Sequence, residues 1–136
     1  DVVYLADCLS SRETLDKYQI GFNYDIGACL DTLEMVKGLK ARLFVPAHAE
    51  ASEEIASLVQ YNIDHIRRVA GHITELCREP VSFETLLQRL FDDYGMTMNF
   101  QQHVLVGSAV RSYLAWLKET GQVTAYFENN MLLWKA

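Results

Sequence analysis

The chain has 136 residues, half of them apolar, which is enough for one ordinary domain or two small ones. Its formal net charge of -6 argues against general affinity for nucleic-acid backbones, because that affinity comes mostly from Lys and Arg. No apolar run reaches the length of a membrane span, and the first residues do not resemble a signal peptide, so we expect a cytoplasmic protein without membrane partners. The three cysteines form no C-x-x-C, so we expect no disulfides.

The chain begins with a predicted buried strand, Val2 to Ala6. Its apolar residues are continuous rather than alternating, which is typical of a strand covered on both faces. Because this strand starts at once, we interpret the chain as a fragment of a larger fold. The following segment, Ser10 to Tyr24, is predicted to be a loop with one helical turn.

A helix and a second strand follow. Apolar residues recur at helical spacing from Ile26 to Val36, and Gly38 is placed to end that helix. Arg42 to Val45 then reads as a short buried strand stopped by Pro46. Together these elements predict a β-α-β unit.

The second half of the sequence is predicted to be mostly helical. One long helix is expected over 53–79, with His65 and His72 on a solvated or interfacial face. Two further helices, capped by Ser82 and Asn99, and a C-terminal hairpin turning at Asn129 then have the order of a winged helix. We therefore predict an α/β piece over 1–52, a connecting helix over 53–79 and a winged-helix-like domain over 80–136.

Asp7 and His48 are the candidate site residues. Each directly follows a predicted strand, and parallel strands place such residues at the same edge of a sheet. A carboxylate and an imidazole there could bind zinc, iron or manganese, or could form an acid-base pair. Taken alone, Asp7 is also compatible with a turn or cap residue and His48 with a surface loop residue.

The stretches YLADCLSS and LFVPAHAE, about 40 residues apart with an amphipathic helix between them, resemble the last two metal-binding motifs of the metallo-beta-lactamase superfamily. The resemblance covers residues 1 to about 50. It implies that Asp7 bridges two divalent metal ions, zinc before iron or manganese, and that His48 completes the second site. The rest of the chain is similar to the winged-helix-like region of a branch that hydrolyses esters or thioesters, so a small-molecule substrate is implied.

Two departures from the family pattern matter. Ala47 and Ala49 flank His48 where the family has glycines, so a positive φ there would cost roughly 1 kcal/mol. The family's His-x-His-x-Asp-His cluster has no counterpart in this sequence. We therefore expect this fragment alone to bind no dinuclear metal centre and to be inactive without the N-terminal half of the same fold.

The loop after Asp7 carries three aromatic residues, Tyr18, Phe22 and Tyr24, as candidates for a substrate pocket. The alternative is that they pack this loop against the sheet. Cys8 and Ser10 are not favoured as nucleophiles, because no histidine beside them in the sequence would serve as their base.

The alternative function is a winged-helix module that binds nucleic acid or protein. Residues 80–136 contain four basic and five acidic side chains, whereas a DNA reader is expected to show a basic stripe, so nucleic acid is disfavoured. An exposed edge of the first strand would instead favour a homodimer.

Overall fold

The computed structural model describes all residues, 1–136, as a mixed α/β structure with five helices and two small sheets. Residue contacts divide the chain into two compact units. The first comprises residues 1–19 and 26–67, and the second comprises 20–25 and 68–136. The boundary falls inside one long helix, so both units include part of it.

Two parallel strands form the sheet of the first unit, β1 (Val2–Ser10) and β2 (Leu43–His48). Both extend past their predicted ends. The pairing is regular from Val2 to Tyr4, shifts around Ala6, and continues to Ser10 opposite His48. Pro46 lies inside β2 opposite Ala6. The strand pairing is irregular there and tolerates this proline, because proline removes only one backbone hydrogen-bond donor.

Two helices connect these strands. The predicted loop contains α1 (Arg12–Tyr18), which the Ser11 hydroxyl caps by accepting from the Thr14 amide. The helix predicted from Ile26 to Val36 is present as α2 (Ile26–Lys37) and buries Ile26, Leu30, Leu33 and Val36. The β-α-β unit therefore also contains a short helix that has no buried residue.

The long helix, α3 (Ala56–Leu76), is shorter than the predicted 53–79. At its start Ser52 is held by two backbone hydrogen bonds with Phe44, so that serine cannot begin the helix. Val59, Ile63, Ile66 and Ile73 form a buried apolar stripe on this helix. His65 is 5% exposed, which contradicts the solvated face that was one of its two predicted positions. The Nε2 of His65 instead hydrogen-bonds the Gln19 carbonyl at the end of α1.

The second unit contains helices α4 (Phe83–Asp93) and α5 (Phe100–Glu119), capped by Ser82 and Asn99 as predicted. Its antiparallel sheet has the order β3 (Val81–Ser82), β5 (Met131–Lys135), β4 (Thr124–Glu128). The β4–β5 turn has positive φ at Asn129 and Asn130, which a tight hairpin requires. The core of this unit includes six fully buried side chains, Leu86, Leu87, Leu90, Tyr113, Leu114 and Leu117.

None of the helices combines the length and the apolar character that crossing a membrane demands.

Candidate functional site

Asp7 and His48 lie together in the carboxyl halves of β1 and β2, inside the strands rather than directly after them as predicted, because both strands are longer than expected. The His48 Nε2 is 3.0 Å from the Asp7 Oδ1, and the two side chains are 61% and 80% exposed, respectively. The pair is therefore open to a ligand on its outer side. Whether the two residues bind a metal stays a prediction.

The backbone beside Asp7 is irregular at one residue. Ala6, directly before Asp7, has a φ of +47°, a conformation that non-glycine residues rarely adopt. Ala47 and Ala49, where a positive φ was considered, are not among the positive-φ residues. The turn that carries His48 therefore needs no glycine, and the strained backbone lies beside the carboxylate instead.

Asn62 of α3 holds the end of β1. Its side chain accepts a hydrogen bond from the Ser10 amide at 3.0 Å and donates to the Ser10 carbonyl at 2.9 Å. Asn62 is 5% exposed, so these bonds form largely away from water. Because the Ser11 amide also donates to the His48 carbonyl at 3.1 Å, this cluster joins the ends of both strands. Asn62 was not predicted from the sequence, because a single polar residue beside an apolar helix stripe does not indicate its partner.

A cavity of about 530 Å³ lies beside His48 in the first unit. Its lining includes Ser11, Arg12, Glu13, Ala49, Glu50 and Glu54, so acidic side chains outnumber the arginine. The Arg12 guanidinium lies 4.7 Å from the Tyr61 ring centroid. The Ser57 hydroxyl and, with a smaller effect, the Ser57 amide donate hydrogen bonds to the Glu54 carboxylate, and these bonds lower the pKa of Glu54.

The three aromatic pocket candidates do not line this cavity. Tyr18, Phe22 and Tyr24 are 58%, 64% and 87% exposed. Tyr18 ends α1, and the Lys17 ammonium lies 5.2 Å from its ring centroid. Phe22 and Tyr24 belong to the segment that groups with the second unit. Their part in substrate binding stays a prediction.

Other titratable groups are placed elsewhere. His72 pairs with Asp93 at 2.8 Å and His103 with Glu84 at 3.1 Å, both in the second unit. No group of three or more His, Cys, Asp or Glu side chains in this chain is arranged to hold a metal ion. Burial raises the pKa of the Cys8 thiol, and the negative charge of Asp7 raises it further, which disfavours Cys8 as a nucleophile.

No family model and no curated protein matches this sequence. Among solved structures, the chain is similar to a beta-lactamase domain protein from Burkholderia ambifaria, with a TM-score of 0.75 and 12% identity. The match covers 98% of this chain and 41% of that protein, so the chain spans about two fifths of the length of its structural neighbour. At this identity the likeness is evidence about the fold alone, and it supports a metallo-beta-lactamase-like fold.

Proposed function

We propose that this chain is the C-terminal portion of a metal-dependent hydrolase of the metallo-beta-lactamase fold, acting on an ester, thioester or related bond. The observation that carries the proposal is the Asp7–His48 pair in the carboxyl halves of the parallel strands β1 and β2. Similarity to a beta-lactamase domain protein supports the fold part of the proposal. The order of α4, α5 and the β4–β5 hairpin supports a winged-helix-like C-terminal region.

Asp7 and His48 would be two of the protein ligands of such a site. The His48 Nε2 and the Asp7 Oδ1 are 3.0 Å apart, so the two donor atoms lie side by side. Carboxylate and imidazole donors suit zinc, iron and manganese. The donors fit part of a metal site, whereas catalytic zinc usually has three protein ligands.

In the proposed complete enzyme, the N-terminal half of the fold would supply the remaining ligands for two divalent ions. When bound, such ions supply Lewis-acid chemistry and lower the pKa of water. Asp7 would orient the site from β1, next to the strained residue Ala6, and His48 would be fixed by the Ser11–His48 backbone hydrogen bond. Asn62 would act as a positioning residue by holding Ser10.

Metal binding to this chain can be tested residue by residue with Co²⁺ and NMR. We expect paramagnetic broadening to reach His48 at lower Co²⁺ concentrations than it reaches His72 or His103, and Asp7→Ala to abolish that preference. His72 and His103 are matched controls, because each also pairs with a carboxylate. Equal broadening at all three histidines would contradict the proposal.

Catalysis requires a polypeptide that is extended with the N-terminal half of the fold. We expect that protein to hold two divalent ions and to hydrolyse ester or thioester substrates. His48→Ala should lower its metal content and abolish turnover, whereas His103→Ala should preserve both. An unchanged metal content in the His48 variant would refute the ligand assignment.

A further inference from the structure

Two of the four methionines in the chain lie in the short segment that joins α4 to α5. Met96 and Met98 both line a cavity of about 510 Å³ in the second unit, whereas Thr97 between them does not. Met96 is half-buried and Met98 is 41% exposed, so neither side chain is sealed from solvent. His103 of α5 also lines this cavity. Two thioether side chains and an imidazole therefore share one cavity.

The start of α5 places Met98 beside His103. Asn99 is the N-cap of this helix, so Met98 occupies the position before the cap and His103 the fourth helical position. Side chains at these two positions commonly contact each other across the first turn. Met98 and His103 also both line a second cavity, of about 350 Å³. Both observations put the thioether of Met98 next to the imidazole.

Glu84 determines which nitrogen of the His103 ring is available to a metal. The His103 Nε2 lies 3.2 and 3.1 Å from the two carboxylate oxygens of Glu84. An ionised carboxylate only accepts hydrogen bonds, so Nε2 is the protonated nitrogen and Nδ1 carries the lone pair of the neutral ring. Metal-binding histidines usually donate their other ring N–H to such a partner. The pair therefore leaves Nδ1 as the donor atom for a ligand.

We propose that Met96, Met98 and His103 bind a soft monovalent metal ion, Cu⁺. Thioether sulfur is a soft donor that selects Cu⁺, and imidazole nitrogen also suits copper. Zinc fits this cluster less well, because proteins bind zinc through cysteine, histidine and carboxylate donors, and no cysteine lines the cavity. Glu84 would act as a positioning residue that orients the His103 ring.

The charge and polarity of the cavity favour a cation. Its lining includes the carboxylates of Glu84 and Asp92 and no lysine or arginine, so no positive side chain opposes the ion. Phe91, which is 3% exposed, contributes to the apolar part of the wall. A hydrophobic shell around a metal site limits the access of water to it. The cavity therefore combines negative charge with partial shielding from solvent.

The proposed Cu⁺ site is independent of the hydrolase site. Thioether sulfur selects Cu⁺ over the divalent ions that the hydrolase proposal involves. For Co²⁺, His103 is therefore only a histidine that pairs with a carboxylate, as in the tests of His48. Failure of Cu⁺ binding would leave the assignment of Asp7 and His48 untouched, and the reverse also holds.

Silver titration monitored by NMR tests the site, with Ag⁺ as a soft ion that needs no reducing agent. Thiolates also bind soft ions. The two half-buried cysteines are therefore removed first, by Cys8→Ala and Cys29→Ala, whereas Cys77 is fully buried. The wild-type chain serves as a second sample, in which the thiols take up Ag⁺ before the methionines respond.

We expect the Met96 and Met98 methyl signals to shift together and to saturate at a single equivalent of Ag⁺. Met35 and Met131 are internal controls, 61% and 53% exposed, whose methyl signals should stay in place. Zn²⁺ at the same concentration should shift none of the four methionine signals. An equal response of all four methionines, or no response of Met96 and Met98, would overturn the proposal.

Matched substitutions test the individual ligands. Met96→Leu and Met98→Leu conserve apolar volume but remove a sulfur, so each should raise the Kd for Ag⁺ at least about tenfold. Met131→Leu should leave the Kd unchanged. The loss of an outer partner typically weakens metal binding about tenfold or more, so we expect that effect from Glu84→Gln. An unchanged Kd in Met98→Leu would refute the site, and ring ¹⁵N signals that place Ag⁺ on Nε2 of His103 would refute the role of Glu84.

Discussion

Ala6 keeps a positive φ immediately before Asp7. An alanine in this conformation is strained by roughly 1 kcal/mol, whereas glycine adopts it without strain. Strained residues persist where the surrounding structure fixes them, and they are concentrated at functional sites. The position of this strain beside Asp7 is therefore consistent with a functional site in the second half of β1.

Replacing Ala6 by glycine should relieve that strain. We expect Ala6→Gly to raise the free energy of unfolding by about 0.5–1 kcal/mol. Ala47→Gly is the control, because Ala47 has no positive φ and glycine there should lower stability through chain entropy. Urea unfolding monitored by fluorescence gives both values. Loss of stability in Ala6→Gly would show that this conformation carries no strain.

Asn62 is the most consequential side chain that the sequence did not reveal. Asn62→Ala leaves the Ser10 amide and carbonyl without their side-chain partner, and each such loss costs about 1–3 kcal/mol in a buried setting. We expect Asn62→Ala to lower the free energy of unfolding and to shift the NMR signals of Ser10 and His48. Gln60→Ala, on the exposed side of α3, is the control. Unchanged His48 signals would remove Asn62 from the site.

A carboxylate accepts hydrogen bonds at the start of helix α3. The Glu54 side chain accepts hydrogen bonds from the Ser57 hydroxyl at 2.7 Å and the Ser57 amide at 3.1 Å, and these bonds lower the Glu54 pKa from its ordinary 4.5. A lowered folded-state pKa gives stability that is present above pH 4.5 and is lost as the pH falls through the folded-state value.

Glu54→Gln should therefore flatten the acid side of the stability profile. We expect the difference in unfolding free energy between about pH 6 and about pH 3 to be smaller in this variant than in the wild type. Glu53→Gln removes the same charge but not the Ser57 hydrogen bonds, so it should retain the wild-type slope. Parallel slopes in all three proteins would rule out Glu54 as the cap.

Gly107 interrupts the buried face of α5 without needing to be glycine. A Cβ there would meet side-chain atoms of Leu87 and Phe83 at 3.7 Å, an ordinary contact distance. Because glycine weakens a helix interior, Gly107→Ala should raise the free energy of unfolding by about 0.5–1 kcal/mol. Gly121→Ala should lower it, since Gly121 has a φ of +76°. Thermal unfolding of both variants measures these changes in stability. A lower stability of Gly107→Ala would indicate that the added methyl group does not fit against Leu87 and Phe83.

Elements with a periodic apolar face were predictable, and elements without one were not. Helices α2 and α4 bury the stripes that their sequences show, and Ser82 and Asn99 cap as expected. Helix α5 buries its apolar residues only from Val106 onward, whereas Val104 and Leu105, which its sequence also places on the core side, are exposed. Helix α1 has no buried residue, so no stripe indicated it. Strand β3 has two residues and depends on pairing with β5, about fifty positions later.

The proximity of the two candidate site residues was also predictable from the sequence. Asp7 and His48 follow apolar runs, and the parallel pairing of those runs brings the two side chains together. The strain at Ala6 and the Asn62–Ser10 hydrogen bonds depend on three-dimensional contacts that no local pattern encodes.

Each of the two compact units has its own set of buried side chains. Leu33 of α2 is 1% exposed in the first unit, and Leu114 of α5 is fully buried in the second. The strand pairs also stay within units, β1 with β2 and β5 with β3 and β4. Helix α3 alone contributes residues to both units. This organisation makes local unfolding of one unit a testable property.

Leu114→Ala should loosen the second unit more than the first. Removing a fully buried leucine side chain costs about 2–5 kcal/mol through lost burial and the resulting cavity. If each unit opens by itself, amide hydrogen exchange should accelerate in α4, α5 and β5 while β1 and α2 keep wild-type protection. Leu33→Ala is the reciprocal variant and should reverse the pattern. Equal acceleration throughout the chain in both variants would mean that the 136 residues unfold as one cooperative body, because a defect in either core would then weaken every hydrogen bond alike.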